Sequence, residues 1–259
     1  MKVFWETVAV AFSMFSALPM PGIEWNEKNM RYTLCAFPLI GMVIGAVLWG
    51  WSAFCGLLGL PDMLRGAGFC LIPAAITGGI HLDGFADASD ALASWAEPER
   101  RQEILKDSHC GAFAIIRLCM YFVGYFGLCC ALPEGREVLL PLGLSFVLSR
   151  CLSGFAMAAR PLAKNTGLAH TFASAAHKSR VKLSLGLLAL AIAAGMIFTG
   201  GLAGGAMVLA ALVVLWHYLR TAEKLFGGIS GDLAGWFLQR AEFWMLAALV
   251  LCRYGEELL

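Results

Sequence analysis

Long stretches without a charged residue constrain this chain more than any other feature. Three of them cover residues 32–61, 66–82 and 183–219, which are thirty, seventeen and thirty-seven residues long. A helix needs roughly 20 predominantly apolar residues to cross the hydrocarbon core of a bilayer. Because 59% of all residues are also hydrophobic, we predict an all-α fold, a polytopic integral membrane helical bundle.

Apolar segments and polar loops alternate along the chain, and their number predicts about seven transmembrane helices. The segments are residues 32–61, 66–82, 112–132, 138–159, 183–199, 205–219 and 233–252. Segments 183–199 and 205–219 are predicted to form a helical hairpin, because glycines at positions 200, 201, 204 and 205 interrupt the apolar stretch between them. Residues 3–18 are barely long enough to span, so an N-terminal interfacial helix and a spanning one both stay open. Residues 1–259 are predicted to form a single domain.

The distribution of basic residues predicts which side of the membrane the polar loops occupy. Loops 22–32, 83–110, 160–182 and 220–232 are separated by two crossings each, so all four fall on one side. They carry twelve Lys and Arg residues, whereas the opposite connections carry only Arg65 and Arg136. The positive-inside rule makes the basic side cytoplasmic. The net charge of +1 gives no indication of nucleic-acid binding.

One polar segment, residues 81–111, stands out from this apolar background. Its stretch from Asp83 to Asp107 holds seven of the eighteen carboxylates in the chain. In a helix, Asp83, Asp87 and Asp90 share one face, at i, i+4 and i+7. Such crowding is destabilising unless a cation offsets it, and hard oxygen ligands favour Mg²⁺ or Mn²⁺. The alternative is a solvated acidic face, but a position at a membrane boundary favours function.

Further candidate site residues lie outside that acidic face. Arg100 and Lys106 are suited to hold phosphate oxygens. Arg150 lies near the middle of an apolar segment, where we expect it to face the bundle interior or an aqueous cavity. Asp232 follows a glycine-rich run and falls near one helical face with Glu242, although an aspartate at a helix start also serves as a cap. The nine cysteines show no paired CxxC spacing, so zinc and a disulfide framework are not expected.

Four motifs of this sequence resemble those of the cobalamin synthase family, the adenosylcobinamide-GDP ribazoletransferases of bacteria and archaea. They are Gly78–Asp90 (GGIHLDGFADASD), Arg100 with Glu103–Ser108 (EILKDS) and Gly111, Phe37–Gly41 (FPLIG), and Gly227–Asp232 (GGISGD). The resemblance covers essentially the whole chain. It implies a Mg²⁺-dependent transferase of the bacterial inner membrane, with its active-site loops cytoplasmic. In the implied reaction a ribose hydroxyl of α-ribazole, or of its 5′-phosphate, attacks adenosylcobinamide-GDP and releases GMP.

The expected residue roles follow from the acidic cluster and this resemblance together. Asp83, Asp87 and Asp90 would hold Mg²⁺, with Asp107 and Asp232 completing a second shell or a second ion. The expected substrate-binding residues are Arg100, Lys106, Ser108 and Arg150. Asp83, Asp87 or His81 would act as the base, although His81 is also explained as a histidine at the membrane boundary. The expected partners are these small-molecule substrates and membrane lipid, with homo-oligomerisation left open.

Two other functions fit parts of the pattern less well. A CDP-alcohol phosphotransferase also clusters aspartates in a membrane helix, but its D-x-x-D-G-x-x-A-R pattern is absent from this sequence. A cation-coupled transporter would place acidic groups at the membrane midplane, whereas these lie at a helix end beside a long polar segment.

Overall fold

The fold consists of helices and their connections in the part of the chain that the computed structural model describes, residues 2–107, 109–163 and 168–258. The helices are α1 (Lys2–Phe15), α2 (Glu27–Met30), α3 (Thr33–Leu58), α4 (Asp62–Thr77), α5 (Ile80–Ala93), α6 (Pro98–Ile104), α7 (Ala112–Cys130), α8 (Arg136–Ala159), α9 (Leu168–Ala175), α10 (Lys178–Phe226) and α11 (Gly231–Glu257). Within those ranges the β pairing is confined to one isolated bridge, between Leu162 and Ile229. The predicted all-α fold is confirmed.

Four of the described helices, α3, α7, α8 and α10, are long and apolar enough to cross a membrane. A fifth span is reached if α4 and α5, which meet at 93°, count as one broken span. This number is smaller than the seven expected from the sequence. The difference has three sources: α4 has only 16 residues, the single helix α10 of 49 residues holds two of the predicted segments, and α11 is not among the four.

Helix α10 is nevertheless folded back on itself, as the glycine pattern predicts. Gly201 has φ 58° and ψ −130°, a conformation outside the helical region. A Cβ atom added to Gly204 would clash with the carbonyl oxygen of Met196. In a straight helix these residues would be about 12 Å apart along the axis. The two halves of α10 therefore form a tight hairpin.

Contacts between helix ends show that the long helices run alternately up and down. At one end, Arg160 after α8 pairs with Glu223 in α10 at 2.9 Å, and Gln102 donates to the carbonyl oxygen of Phe226. At the other end, Arg253 of α11 donates to the carbonyl oxygen of Gly200, where the α10 hairpin turns. We call the first end the site end and define it by the described parts of residues 22–32, 83–110, 160–182 and 220–232.

Small residues let the central helices approach closely, as is usual in membrane bundles. A Cβ on Gly41 of α3 would lie 2.6 Å from the carbonyl carbon of Phe146 in α8. One turn further along, Gly45 meets Gly143 in the same way. Helix α8 is consequently buried on most sides and forms the middle of the bundle.

The N-terminal helix α1 agrees with the interfacial alternative. Its 14 residues extend about 21 Å, less than the roughly 30 Å of a hydrocarbon core. Val10 packs with Met30 and Phe172 in a small separate cluster, and both partners belong to elements of the site end. The helix therefore covers that end.

Candidate active site

The acidic face predicted from the sequence lies on α5. Two glycines in the left-handed region, Gly78 (φ 65°) and Gly79 (φ 79°), end α4 and begin α5. They produce the 93° bend between the two helices, which places α5 across the site end. Asp83 is exposed there, and Asp87 and Asp90 are half-buried. The helical spacing puts the three carboxylates on one face, as predicted.

Glycines bring the start of α11 against α5. A Cβ on Gly84 would lie 2.8 Å from the Cα atom of Asp232, and a Cβ on Gly235 would lie 2.9 Å from the carbonyl oxygen of His81. Asp232 thereby joins the aspartates of α5, and the negative charges of Asp83, Asp232 and Asp90 all act on the Asp87 carboxylate. The sequence reasoning grouped Asp232 with this cluster but missed the two glycines.

Helix capping does not account for Asp232. The N-cap of α11 is Ser230, whose Oγ accepts a hydrogen bond from the backbone N–H of Leu233 at 3.2 Å. Asp232 lies in the first turn instead. The capping alternative is therefore wrong for this residue.

A cavity of about 460 Å³ opens beside this cluster. Its polar lining includes His81, Asp83, Lys106, Ser153 and Asp232. Most of the remaining lining is apolar and comes from Met14, Phe15, Leu34, Phe37, Ile80, Leu105, Met157, Leu162, Phe172, Ile229, Ala234 and Leu238. This volume lies in the usual range for small-molecule sites. The cavity thus has one charged, exposed rim and an apolar interior.

Ser153 and the aromatic wall of this cavity were missed by the sequence reasoning. The sequence offers only a weak signal, serines at positions 145, 149 and 153, which fall at i, i+4 and i+8 along α8. Nothing in that spacing indicates which serine would meet a cavity. His81, by contrast, was singled out, and the structure places it in the cavity wall.

Asp90 has a contact that sequence reasoning did not anticipate. Its Oδ2 accepts a hydrogen bond from the backbone N–H of Gly111 at 2.6 Å, and its Oδ1 accepts one from Ala114 at 2.9 Å. These amides open α7, so Asp90 ties the start of that helix to α5. Each oxygen retains a second lone pair, so the predicted metal-binding role of Asp90 stays a prediction.

Arg150 lies in the bundle interior, as predicted, where it pairs with another buried charge. Its guanidinium is 2.7 Å from the Glu242 carboxylate, and their side chains are 1% and 3% exposed. Ser149 also donates to Glu242 at 3.0 Å. Both ions line a much smaller space of about 10 Å³, and neither lines the large cavity in the described part of the chain. Substrate binding by Arg150 therefore stays a prediction.

The site residues predicted in the polar segment after α5 lie in different surroundings. Lys106 reaches the cavity rim, whereas Arg100 is exposed and pairs with Glu103 at 2.7 Å. Asp107 is exposed, and its hydrogen bonds with His109 hold the pKa of its carboxyl group below the ordinary value. Arg100 and Asp107 are not among the cavity-lining residues that the structure describes. Ser108 lies outside the described residues.

Within the described residues, no group of three His, Cys, Asp or Glu side chains is arranged as a ready metal site. Mg²⁺ needs fewer protein ligands than that, because it keeps several waters and binds through one or two carboxylates plus substrate phosphates, and its binding here stays a prediction. Asp83, Asp87 and Asp232 suit such an open site. The clustered negative charge beside a cavity supplies the electrostatic reason for a cation there.

The fold and this site define a class: a membrane-embedded helical bundle with an acidic, partly apolar small-molecule cavity at one end. The chain belongs to the cobalamin-5-phosphate synthase family, whose model matches residues 7–250. The expectation from the sequence motifs is thereby confirmed.

Named relatives share nearly the whole length of the chain. A protein of Lachnoclostridium phytofermentans named adenosylcobinamide-GDP ribazoletransferase is 43% identical over 242 residues, covering 93% of this chain and 92% of its own. Proteins of the same name from Clostridium perfringens and Geobacillus thermodenitrificans are 33% and 31% identical, and each covers at least 93% of this chain and 94% of its own. No solved structure matches the chain significantly.

Proposed function

We propose that this protein is an adenosylcobinamide-GDP ribazoletransferase that acts at the cytoplasmic face of a bacterial inner membrane. A ribose hydroxyl of α-ribazole, or of its 5′-phosphate, attacks the phosphorus on the cobinamide side of the diphosphate. A new phosphorus–oxygen bond forms, the bond to GMP breaks, and the hydroxyl proton passes to a base. The products are adenosylcobalamin, or its 5′-phosphate, and GMP.

The observation that carries this proposal is the meeting of α5 and α11 at one cavity. Asp83 and Asp232 are 149 positions apart in the sequence, yet both line it. Together with Asp87 they are the residues that would hold Mg²⁺, which when bound supplies positive charge to the diphosphate oxygens. Lys106 at the rim is placed to bind the same phosphates. These groups suit phosphoryl transfer, which depends mainly on positioning and charge stabilisation.

His81 and Asp83 are the candidate bases within reach of a nucleophile in this cavity. His81 is 5% exposed, and its Nδ1 has no hydrogen-bond partner among the described residues. A buried nitrogen without a partner is costly unless a ligand or water satisfies it. A ribose hydroxyl bound beside it would do so and would lose its proton in the reaction.

The distribution of Lys and Arg residues between the two ends of the bundle supports a cytoplasmic site end. The described loops of the site end hold most of the basic loop residues, whereas Arg65, Arg136 and Arg253 lie near the opposite end. This asymmetry supports a cytoplasmic site end.

Release of GMP from adenosylcobinamide-GDP by the purified protein in liposomes tests the proposed function. We expect GMP only when both organic substrates and Mg²⁺ are present, with stoichiometric formation of the joined corrinoid. CMP release from CDP-alcohol substrates is not expected, and it would favour a CDP-alcohol phosphotransferase instead. Absence of GMP in the complete mixture would refute the proposed function.

A further inference from the structure

We propose that the apolar interior of the large cavity is the nucleoside subsite, which encloses the 5,6-dimethylbenzimidazole base of α-ribazole, and that Ser153 binds this nucleoside. The inference rests on the proposed function and extends it, because it assigns one substrate to one part of the cavity. It also gives a specificity-determining role to a residue outside the motifs.

Ser153 differs from the other buried serines of the described helices. Ser145 donates to the carbonyl oxygen of Leu142 at 2.6 Å and Ser89 to that of Phe85 at 2.6 Å, while Ser149 has both the carbonyl oxygen of Phe146 and the Glu242 carboxylate as acceptors within 3.1 Å. Such bonds to the preceding turn are the usual way in which a helical serine satisfies its hydroxyl. Ser153 is only 1% exposed, yet its Oγ finds no partner in the described parts of the chain.

Two residues that each carry a buried polar atom without a partner therefore line the same cavity. Ser153 Oγ and His81 Nδ1 both belong to residues that line the cavity. Buried polar groups in native proteins are nearly always hydrogen-bonded, so each exception needs an explanation. A ligand that brings its own donors and acceptors into the cavity explains both at once.

The aromatic side chains that line the cavity indicate which kind of ligand it binds. Phe15, Phe37 and Phe172 all line the cavity, and the ring centroid of Phe15 is 4.5 Å from that of Phe37 and 5.9 Å from that of Phe172. An aromatic wall of this kind favours a flat, apolar ring system.

The base of α-ribazole fits these walls better than the other substrate groups do. It carries two methyl groups and, once joined to ribose, a single free ring nitrogen. Guanine presents several donors and acceptors, most of which would lose water without gaining a partner against these walls. The corrinoid is much larger than a nucleoside and would not be enclosed in about 460 Å³. The subsite is therefore assigned to the nucleophile.

This assignment orients the nucleoside productively. Ser153 is a buried residue of the cavity lining, whereas Asp83 and Lys106 are exposed at the rim. With the base against the aromatic wall, the ribose extends toward His81 and the carboxylates. The nucleophilic hydroxyl then faces the place where the diphosphate binds.

Steady-state kinetics of Ser153→Ala test the subsite. Losing one hydrogen bond is expected to raise KM for α-ribazole about fivefold, while KM for adenosylcobinamide-GDP stays within about twofold of wild type. Ser145→Ala is the matched control. It removes a buried hydroxyl from the same helix, and that hydroxyl donates to a backbone carbonyl of the helix itself. It should leave both KM values unchanged. An unchanged KM for α-ribazole in Ser153→Ala, or an equal rise for both substrates, would overturn the assignment.

A second measurement uses wild-type protein and therefore does not depend on the folding of a variant. The riboside of unsubstituted benzimidazole lacks both methyl groups, and its KM should be about tenfold higher than that of α-ribazole. Equal KM values for the two nucleosides would overturn the assignment. Wild-type protein that makes no GMP with either nucleoside would refute the proposed function itself, so the two failures are distinguishable.

Discussion

At the scale of single residues, the aspartates of α5 have different surroundings although they share one face. Asp83 is exposed at the cavity rim, Asp87 is half-buried among its neighbours' charges, and Asp90 holds the two backbone amides of α7. The spacing in the sequence predicted the shared face correctly. It did not predict the contact of Asp90, because that contact depends on where a later helix begins.

Replacing Asp83 or Asp87 by Asn tests the metal assignment. Either change removes one negative charge from a site that offers few protein ligands, so we expect kcat/KM to fall about 100-fold or more. Activity is measured as GMP release at a fixed Mg²⁺ concentration. Glu99→Gln is the control, because Glu99 is exposed in the adjacent α6 and should tolerate the change. Wild-type activity in Asp83→Asn would remove that residue from the site.

Asp232→Asn separates a functional role from a structural one. We expect it to abolish GMP release while leaving the thermal unfolding midpoint within a few degrees of wild type, because Ser230 is the cap of α11. Ser230→Ala should instead lower stability by about 1 kcal/mol. Asp62→Asn is the matched control, since Asp62 occupies the first turn of α4 at the opposite end. Full activity in Asp232→Asn would confine the site to residues 81–111.

At the scale of elements, the contact between α5 and α11 decides whether the site exists. The alternation of apolar and polar segments predicted both helices, but it extended the preceding crossing to residue 82, whereas α4 ends before Gly78 and Gly79. Sequence spacing could not show that Gly84 and Gly235 face each other, because periodicity gives a helix's face but not its neighbour. Such pairings depend on packing across the whole bundle.

Gly84→Val tests this contact directly. A side chain there would meet the backbone of Asp232, where even a Cβ atom is 2.8 Å from its Cα. We expect α5 and α11 to separate, GMP release to fall at least about tenfold, and stability to drop by about 1–3 kcal/mol. Gly127→Ala is the control, because a Cβ on that helical glycine of α7 meets nothing within 4 Å. Unchanged activity in Gly84→Val would show that the close approach is dispensable.

At the scale of the whole molecule, the alternation of loops placed the polar segments at one end of the bundle, as predicted. The buried pair of Arg150 and Glu242 could not be foreseen as a pair, because the partners are 92 residues apart. Hydropathy predicted only that an arginine at such depth needs a partner or a cavity. The large cavity could not be predicted from the sequence either, because residues from five or more separate elements line it.

Labelling with a membrane-impermeant thiol reagent tests the orientation. Cysteines introduced at Ser174 and Glu223, both exposed at the site end, should react only from the cytoplasmic side. A cysteine at Glu134, exposed at the opposite end, should react only from outside. The exposed Cys110 and Cys119 are first replaced by serine. Labelling of position 223 from outside would reverse the topology.

Binding of Mn²⁺, used in place of Mg²⁺, tests the joint site of α5 and α11 most directly. Free Mn²⁺ is measured by electron paramagnetic resonance with purified protein in the presence of adenosylcobinamide-GDP and without α-ribazole, so that no turnover occurs. We expect wild-type protein and Asp62→Asn to bind Mn²⁺ equally, and both Asp83→Asn and Asp232→Asn to bind it about tenfold or more weakly. Wild-type affinity in both site variants would contradict the account.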